Sequence, residues 1–227
     1  MKNVVALTGA GISAESGLPT YRGIGGLWDK HQHELVASPV GWRRDRRTVL
    51  NFWNAQRRRV AATAPNAAHH ALKELERLYE VIIVTQNVDD LHERAGSSNV
   101  IHLHGELMKS RSSLDPNMVY NTGDKDIEIG DKCERGSQLR PHVVWFGEPV
   151  LRFKEAQLAA READIFIIVG TSLEVQPAAS LVDEVKGGAR RFVVDPGADP
   201  RLPGEIAEPA TVGLPRLVAE LERELES

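Results

Sequence analysis

Three short runs along the chain, residues 4–7, 81–84 and 165–169, are apolar throughout instead of alternating with polar residues. Unbroken aliphatic runs of this length predict strands buried on both faces, as in a parallel sheet. A fourth run, residues 192–194, stops at Asp195-Pro196-Gly197. Helical spacing predicts helices over 67–79 and 177–186 between these strands, and a closing amphipathic helix carrying Leu214, Leu217, Val218, Leu221 and Leu225. Alternating strand and helix predicts an α/β fold with a doubly wound parallel sheet.

Two stretches break the alternation. Residues 29–66 carry a helix with Val49, Trp53, Gln56 and Val60 on one face. Residues 109–141 are polar, rich in Asp, Ser, Gly and Asn, and hold only short candidate strands. Together they predict a small helical and irregular lobe built from two insertions. The large domain is then residues 1–28, 67–108 and 142–227.

At 227 residues, with 41% apolar and 26% charged positions, the chain suits one sizeable domain with an insert. Its net charge of −4 argues against a specific nucleic-acid partner. The dense basic stretch, Arg43, Arg44, Arg46 and Arg47 followed by Arg57, Arg58 and Arg59, reads as a solvated helix face or as a surface for an acidic partner. Cys133 is the single cysteine, so a multi-cysteine metal site is ruled out and a reducing compartment is expected. The short apolar start fits no signal peptide, and no stretch approaches the length of a membrane span, so a cytoplasmic protein with no membrane partner is expected.

The chemistry gathers just past the strands. Thr8 is followed by Gly-x-Gly-x-x-Ala at Gly9, Gly11 and Ala14, a pattern for a tight turn, close approach to a pyrophosphate and a helix N-terminus facing it. The next strand begins only near Glu80, too late for an ordinary dehydrogenase. Between them, Tyr21 to Trp28 with Gly23, Gly25 and Gly26 suggests a mobile cover. Gln86, Asn87, Val88 and Asp89 follow the second strand, and Gly170, Thr171 and Ser172 follow the third, where open parallel sheets bind ligands. His104 is a candidate general base, but alternation puts His102 on the same side of any short strand, so spacing does not choose between them.

Gly9-Ala10-Gly11-Ile12-Ser13-Ala14-Glu15-Ser16-Gly17, then Gln86-Asn87-Val88-Asp89, His104-Gly105-Glu106, Val144-Trp145-Phe146-Gly147-Glu148 and Gly170-Thr171-Ser172 occur in the order found in sirtuins. The chain resembles that family over nearly its whole length, and most of all the short bacterial and mitochondrial type. The resemblance implies a Rossmann-type large domain, NAD as consumed co-substrate, and an acyl-lysine protein or peptide as partner. It also implies that the acyl oxygen attacks C1′ of the nicotinamide ribose while His104, not His102, takes a ribose hydroxyl proton.

Catalytic roles then fall to His104, Asn87 and Asp89. Cofactor contacts fall to Gly9, Ala10, Gly11, Ala14, Glu15, Thr20, Tyr21, Arg22, Trp28, Gln86, Val88, Gly170, Thr171, Ser172, Asp195 and Ala210. Trp53, Gln56, Val144, Trp145, Phe146 and Gly147 would meet the substrate.

Three departures stand out. The stretch around Ser112 and Cys133 aligns with the family's four-cysteine zinc module but lacks three of the cysteines, so no zinc is expected. Relatives that remove succinyl or malonyl groups carry Tyr-x-x-Arg where this chain has Trp53 and Gln56. Losing a charge-assisted hydrogen bond should weaken acidic acyl substrates roughly 10- to 200-fold, favouring neutral acyl groups. Thr20 and Tyr21 replace the commoner Asp-Phe. An NAD glycohydrolase or ADP-ribosyltransferase, and an NAD-sensing module without chemistry, are the alternatives.

Overall fold

The computed structural model describes residues 1–21 and 26–226. Its elements run β1 (Asn3–Thr8), α1 (Gly11–Ala14), α2 (Leu27–Lys30), α3 (His33–Val36), α4 (Pro39–Arg44), α5 (Arg46–Ala61), α6 (Ala67–Leu75) and β2 (Glu80–Thr85). Then follow α7 (Leu91–Arg94), β3 (Val100–His102), β4 (Gly105–Ser112), β5 (Val119–Asn121), β6 (Leu139–Val143), α8 (Phe153–Glu162) and β7 (Ile165–Val169). A 3-10 turn (Ala178–Val182), β8 (Arg190–Val194), β9 (Glu205–Ile206) and α9 (Ala210–Glu226) complete the chain.

The unbroken apolar runs lie at the centre of a six-stranded sheet, order β3-β2-β1-β7-β8-β9, with every pairing parallel. Alternate residues feed opposite layers. Val4, Ala6, Val81, Ile83, Ile165 and Ile167 pack beneath α6 and α9, with Leu72, Leu75, Leu214 and Leu217. Val5, Leu7, Val84, Phe166 and Ile168 pack against α8 and the 3-10 turn. Burial of each large aliphatic side chain contributes about 1.5–3 kcal/mol, and buried polar residues of β1, β2 and β3 come only at their last positions, Thr8, Thr85 and His102. The expected doubly wound sheet is present. The chain runs outward from β1 through β2 and β3, then returns to β7 on the other flank of β1. Such a reversal leaves a crevice beyond the carboxyl ends of β1 and β7.

Capping fixes the helix starts. Asn66 closes a capping box on α6, Asp45 accepts from Thr48 N–H at 3.0 Å ahead of α5, and Ser38 Oγ accepts from Gly41 N–H ahead of α4. Each such cap stabilises its helix by about 1 kcal/mol.

A second, antiparallel sheet, β5-β4-β6, faces α5. Val49, Leu50 and Trp53 of α5 share one core with Leu107, Ile127, Val143 and Trp145. The strands reach Gly105 and Val143, beyond both ends of the polar stretch in which only short strands are expected. That stretch has an apolar partner only because α5 supplies it from another part of the chain.

Four expectations need correction. The segment 177–186 forms one 3-10 turn and no α-helix, with Pro177 ahead of it and Gly187-Gly188 behind it, residues that weaken helix propagation at both ends. Helix α6 ends at Leu75, and residues 76–78 continue in i→i−3 turns. Leu225 is 50% exposed, since α9 outruns the sheet it packs on. His104 lies beyond β3, which ends at His102, so the two histidines do not share a strand face. Among the described residues no helix is long and apolar enough to cross a membrane.

Candidate active site

The loops leaving β1 and β7 are fastened to each other. Gly9 N–H donates to Val169 O at 3.0 Å and Gly11 N–H to Gly170 O at 2.9 Å. A Cβ on Gly9 would lie 2.6 Å from Gly170 O, and one on Gly170, at φ +59°, would lie 2.4 Å from Ile12 N. Glycine is required here by loop-on-loop contact as much as by any ligand. The expected helix N-terminus is corrected: α1 is a single turn, too short for much macrodipole. What the loops offer is the backbone N–H of Ala10, Thr171 and Ser172, which have no partner among the described residues.

Those donors open onto a cavity of about 610 Å³ in the crevice. Gly9, Ala10, Gly11, Thr20, Tyr21 and Trp28 line it from the first loop; Gln86, Asn87, Val88 and His104 from the second; Gly170, Thr171, Ser172 and Asp195 from the third and fourth. Trp53, Val144, Trp145, Phe146 and Gly147 form the opposite wall. A smaller hollow beside it brings Asp89 and Gln56 together with Ala10, Tyr21, Asn87 and Val88.

Ala14, Glu15 and Ala210 line neither space. Ala14 and Glu15 are exposed, Ala210 is in the core, and Glu15 accepts from Thr211 N–H and Oγ–H, tying the loop after α1 to α9. Arg22, with Gly23 and Gly25 of the expected cover, lies outside the described residues. Glu174, Val175 and Gln176 also line the cavity. Sequence reading missed them, because ahead of Pro177 they look like the approach to a helix.

His104 Nδ1–H donates to Gln86 O at 2.8 Å, which fixes the tautomer and leaves Nε2 its lone pair. Burial pulls its pKa below the ordinary imidazole value, so the ring is neutral at pH 7. His102 differs. Burial pulls it down, but Glu93 Oε1 at 2.7 Å more than offsets this, and its Nδ1–H donates to Asn87 O at 3.2 Å. Both its nitrogens are therefore committed, and it lines neither space.

Asn87 Nδ2–H donates to Gly9 O at 3.1 Å and to Ser13 Oγ at 3.3 Å, clamping the second loop to the first. Asp89 accepts from Ser13 Oγ–H at 3.2 Å and Leu91 N–H at 3.2 Å, and burial pushes its carboxyl up to about 6. Burial, then the Asp89 charge, raises the Tyr21 phenol, which stays a neutral donor. Gln86 Nε2–H donates to Thr171 Oγ1 at 2.9 Å across the crevice.

In the small lobe Ser112 Oγ lies 2.7 Å from Ser137 Oγ, which lies 3.1 Å from Cys133 Sγ. Ser112 Oγ also accepts from Leu114 and Asp115 N–H, the bonds a metal-bound thiolate would receive in a knuckle. Two neutral hydroxyls and one thiol already bonded to one another do not suit Zn²⁺. Among the described residues no group of three His, Cys, Asp or Glu is placed to hold a metal.

Comparison with known proteins gives a concordant result. The sequence model of the Sir2 family matches residues 9–177. An NAD-dependent protein deacylase of Helicobacter pylori strain J99 is 52% identical over 207 residues, spanning 91% of this chain and 88% of its own. A Sir2 homologue solved with NAD superposes with a TM-score of 0.88 at 41% identity, covering 99% of this chain and 91% of its own. A Sir2 protein solved with a myristoylated histone peptide gives 0.74 at 35% identity, covering 99% and 93%.

Proposed function

This chain belongs to the Sir2 family, and from that premise we propose that its cavity is the site at which an acyl-lysine and NAD meet and His104 is the general base. The chain is an NAD-dependent protein deacylase. The observation that carries the residue assignment is the contrast between the two histidines. Only His104 presents an uncommitted, neutral imidazole nitrogen to the cavity.

NAD fits the site. The unpaired N–H groups of Ala10, Thr171 and Ser172 suit its phosphates, and the cavity volume lies in the range of small-molecule sites. When bound, it supplies a glycosidic bond whose cleavage provides the acyl acceptor. The residues would do the rest. Asn87 and Asp89, anchored through Ser13, orient the nicotinamide end; Gly170 to Ser172 and Asp195 hold the distal ribose; Tyr21 and Trp28 exclude water. His104 Nε2 accepts a hydroxyl proton. Residues 144–147 would meet the peptide through the backbone groups left over from the bonds of Val144, Trp145 and Phe146 N–H to His104 O, Glu148 and Ala37 O, with little demand on its sequence.

Neutral acyl groups are favoured. Arg57, the cation nearest in sequence to Gln56, is buried, with Nε–H on Leu107 O at 2.9 Å and Nη1–H on Asn54 Oδ1 at 2.6 Å. Its guanidinium is held inside the lobe and lines neither cavity, although Nη2 has no partner among the described residues. Trp53 gives its indole N–H to Val36 O at 2.7 Å and offers only an apolar ring surface. The lobe formed by residues 29–66 and 109–141 is metal-free in this reading, closed by packing and the Ser112–Cys133–Ser137 cluster.

The test is product analysis by mass spectrometry after incubation with NAD and an acetyl-lysine peptide. Nicotinamide, O-acetyl-ADP-ribose and free lysine are expected in equal amounts, and only with peptide present. Nicotinamide and ADP-ribose formed without peptide would indicate a glycohydrolase instead.

A further inference from the structure

Four guanidinium groups that the reaction does not use stand exposed at the corner between α4 and α5: Arg43, Arg44, Arg46 and Arg47. Among the described residues none of them takes part in an ion pair. The one carboxylate between them, Asp45, accepts from Thr48 through its N–H at 3.0 Å and its Oγ–H at 2.7 Å, and of the four arginines only Arg47 acts on its charge. Four arginines less one aspartate give residues 43–47 a charge of +3 in a chain whose total is −4. Like charges this close repel one another, so the patch costs stability unless a partner compensates it.

Its position says which partner. The Arg46 guanidinium lies over the Trp42 ring at 5.4 Å, and Trp42 packs on Trp145 at 5.7 Å between ring centres. Trp145 lines the cavity, and Phe146 N–H beside it donates to Ala37 O at 3.0 Å, just ahead of α4. The patch is thus the outer side of the wall whose inner side faces the peptide. Two contacts of 5.4 and 5.7 Å in series put the Arg46 guanidinium at most about 11 Å from the centre of the Trp145 ring, with Arg43, Arg44 and Arg47 within three positions of it in sequence.

We propose that Arg43, Arg44, Arg46 and Arg47 dock acidic side chains of the acyl-lysine protein that flank the modified lysine. The inference rests on the deacylase reading and adds a sequence preference to it. Backbone pairing along residues 144–147 gives affinity without selectivity, whereas a charged rim adds selectivity through encounter rate and alignment. A short run of Asp or Glu matches four cations confined to five residues. A polynucleotide would meet the repulsion of an otherwise negative molecule.

The experiment uses the full chain, NAD and two acetyl-lysine peptides of equal length, one with Glu three and four residues to either side of the lysine, the other with Gln there. The wild type is compared with the triple variant Arg43→Gln, Arg44→Gln, Arg47→Gln, which keeps Arg46 on Trp42, and a thermal melt verifies the fold. The wild type should favour the acidic peptide roughly 3- to 30-fold in kcat/KM, mostly through KM, at low salt. The variant should cut that preference at least threefold and high salt should abolish it, while the Gln peptide is turned over equally by both proteins. Equal use of both peptides by the wild type overturns the proposal, as does a preference undiminished in the variant. An equal loss on both peptides in the variant overturns it too, by placing the arginines in the fold or the chemistry. Failure of the wild type on both peptides would strike the deacylase reading, and this inference with it.

Discussion

His102 and His104 sit two positions apart and their pKa values shift in opposite directions: both rings are buried and meet a backbone carbonyl, but only His102 also meets a carboxylate, Glu93. His104→Ala should lower deacylation by at least about 100-fold while calorimetry shows NAD binding retained; unaltered turnover would assign the base elsewhere. The pH profile follows from the shifts. Because burial lowers the His104 pKa, its base form persists below the ordinary imidazole range. Asp89, raised to about 6, reaches its ionised form only above that value. The kcat/KM should therefore fall as pH drops below about 6, and an acid limb above pH 7 would contradict the assignment. Gln56 carries the third expectation. Turnover of acetyl-lysine should exceed that of succinyl-lysine on one peptide, and Gln56→Arg should narrow the gap by about tenfold or more. A succinyl optimum in the wild type would refute the reading.

At the scale of elements, the crossing of the β1 and β7 loops is the most constrained feature. Gly170→Ala forces a Cβ against Ile12 N at positive φ and should cost about 1–3 kcal/mol. A lower melting temperature and weaker NAD binding would report it, and an unchanged melt would count against the packing argument. In the lobe, elemental analysis should find no stoichiometric zinc, and a chelator should leave the melt unmoved. The central strands and α5 were legible because their apolar period is carried by consecutive residues. The second sheet was not, since Leu107, Ile127 and Val143 become a core only opposite α5, more than 40 positions earlier. The site divided the same way. Glycines and polar clusters after strands marked their own positions, whereas the choice of His104 over His102 depended on Glu93, which no local pattern links to either ring. Glu15 matched the family order, yet its carboxylate is taken by Thr211 N–H and Oγ–H at the start of α9.

Across the whole molecule, two neutral histidines tie the sheet to its helices. His69 and His92 lie 5.0 Å apart, bonded to Ser13 and Thr8, and burial takes His69 down to about 4 and His92 well below its usual value. Unfolded, both gain protons near pH 6.5. His142, which burial also takes down to about 4, adds a third, while Asp89 opposes them by gaining one proton in the folded state below about pH 6, so the unfolded chain binds about two protons more as the pH falls from 6.5 towards 4.5. Stability should decline across that window, by roughly 2–3 kcal/mol per pH unit, and a melting temperature that rises on acidification would contradict it. The shared core of α5 and the second sheet bears on biosynthesis. Val49, Trp53 and Val60 leave the ribosome some 50 residues before Leu107, a wait of several seconds at about 5–20 residues per second. For that interval the nascent helix carries an uncovered tryptophan-bearing face, the surface a holdase chaperone would find first.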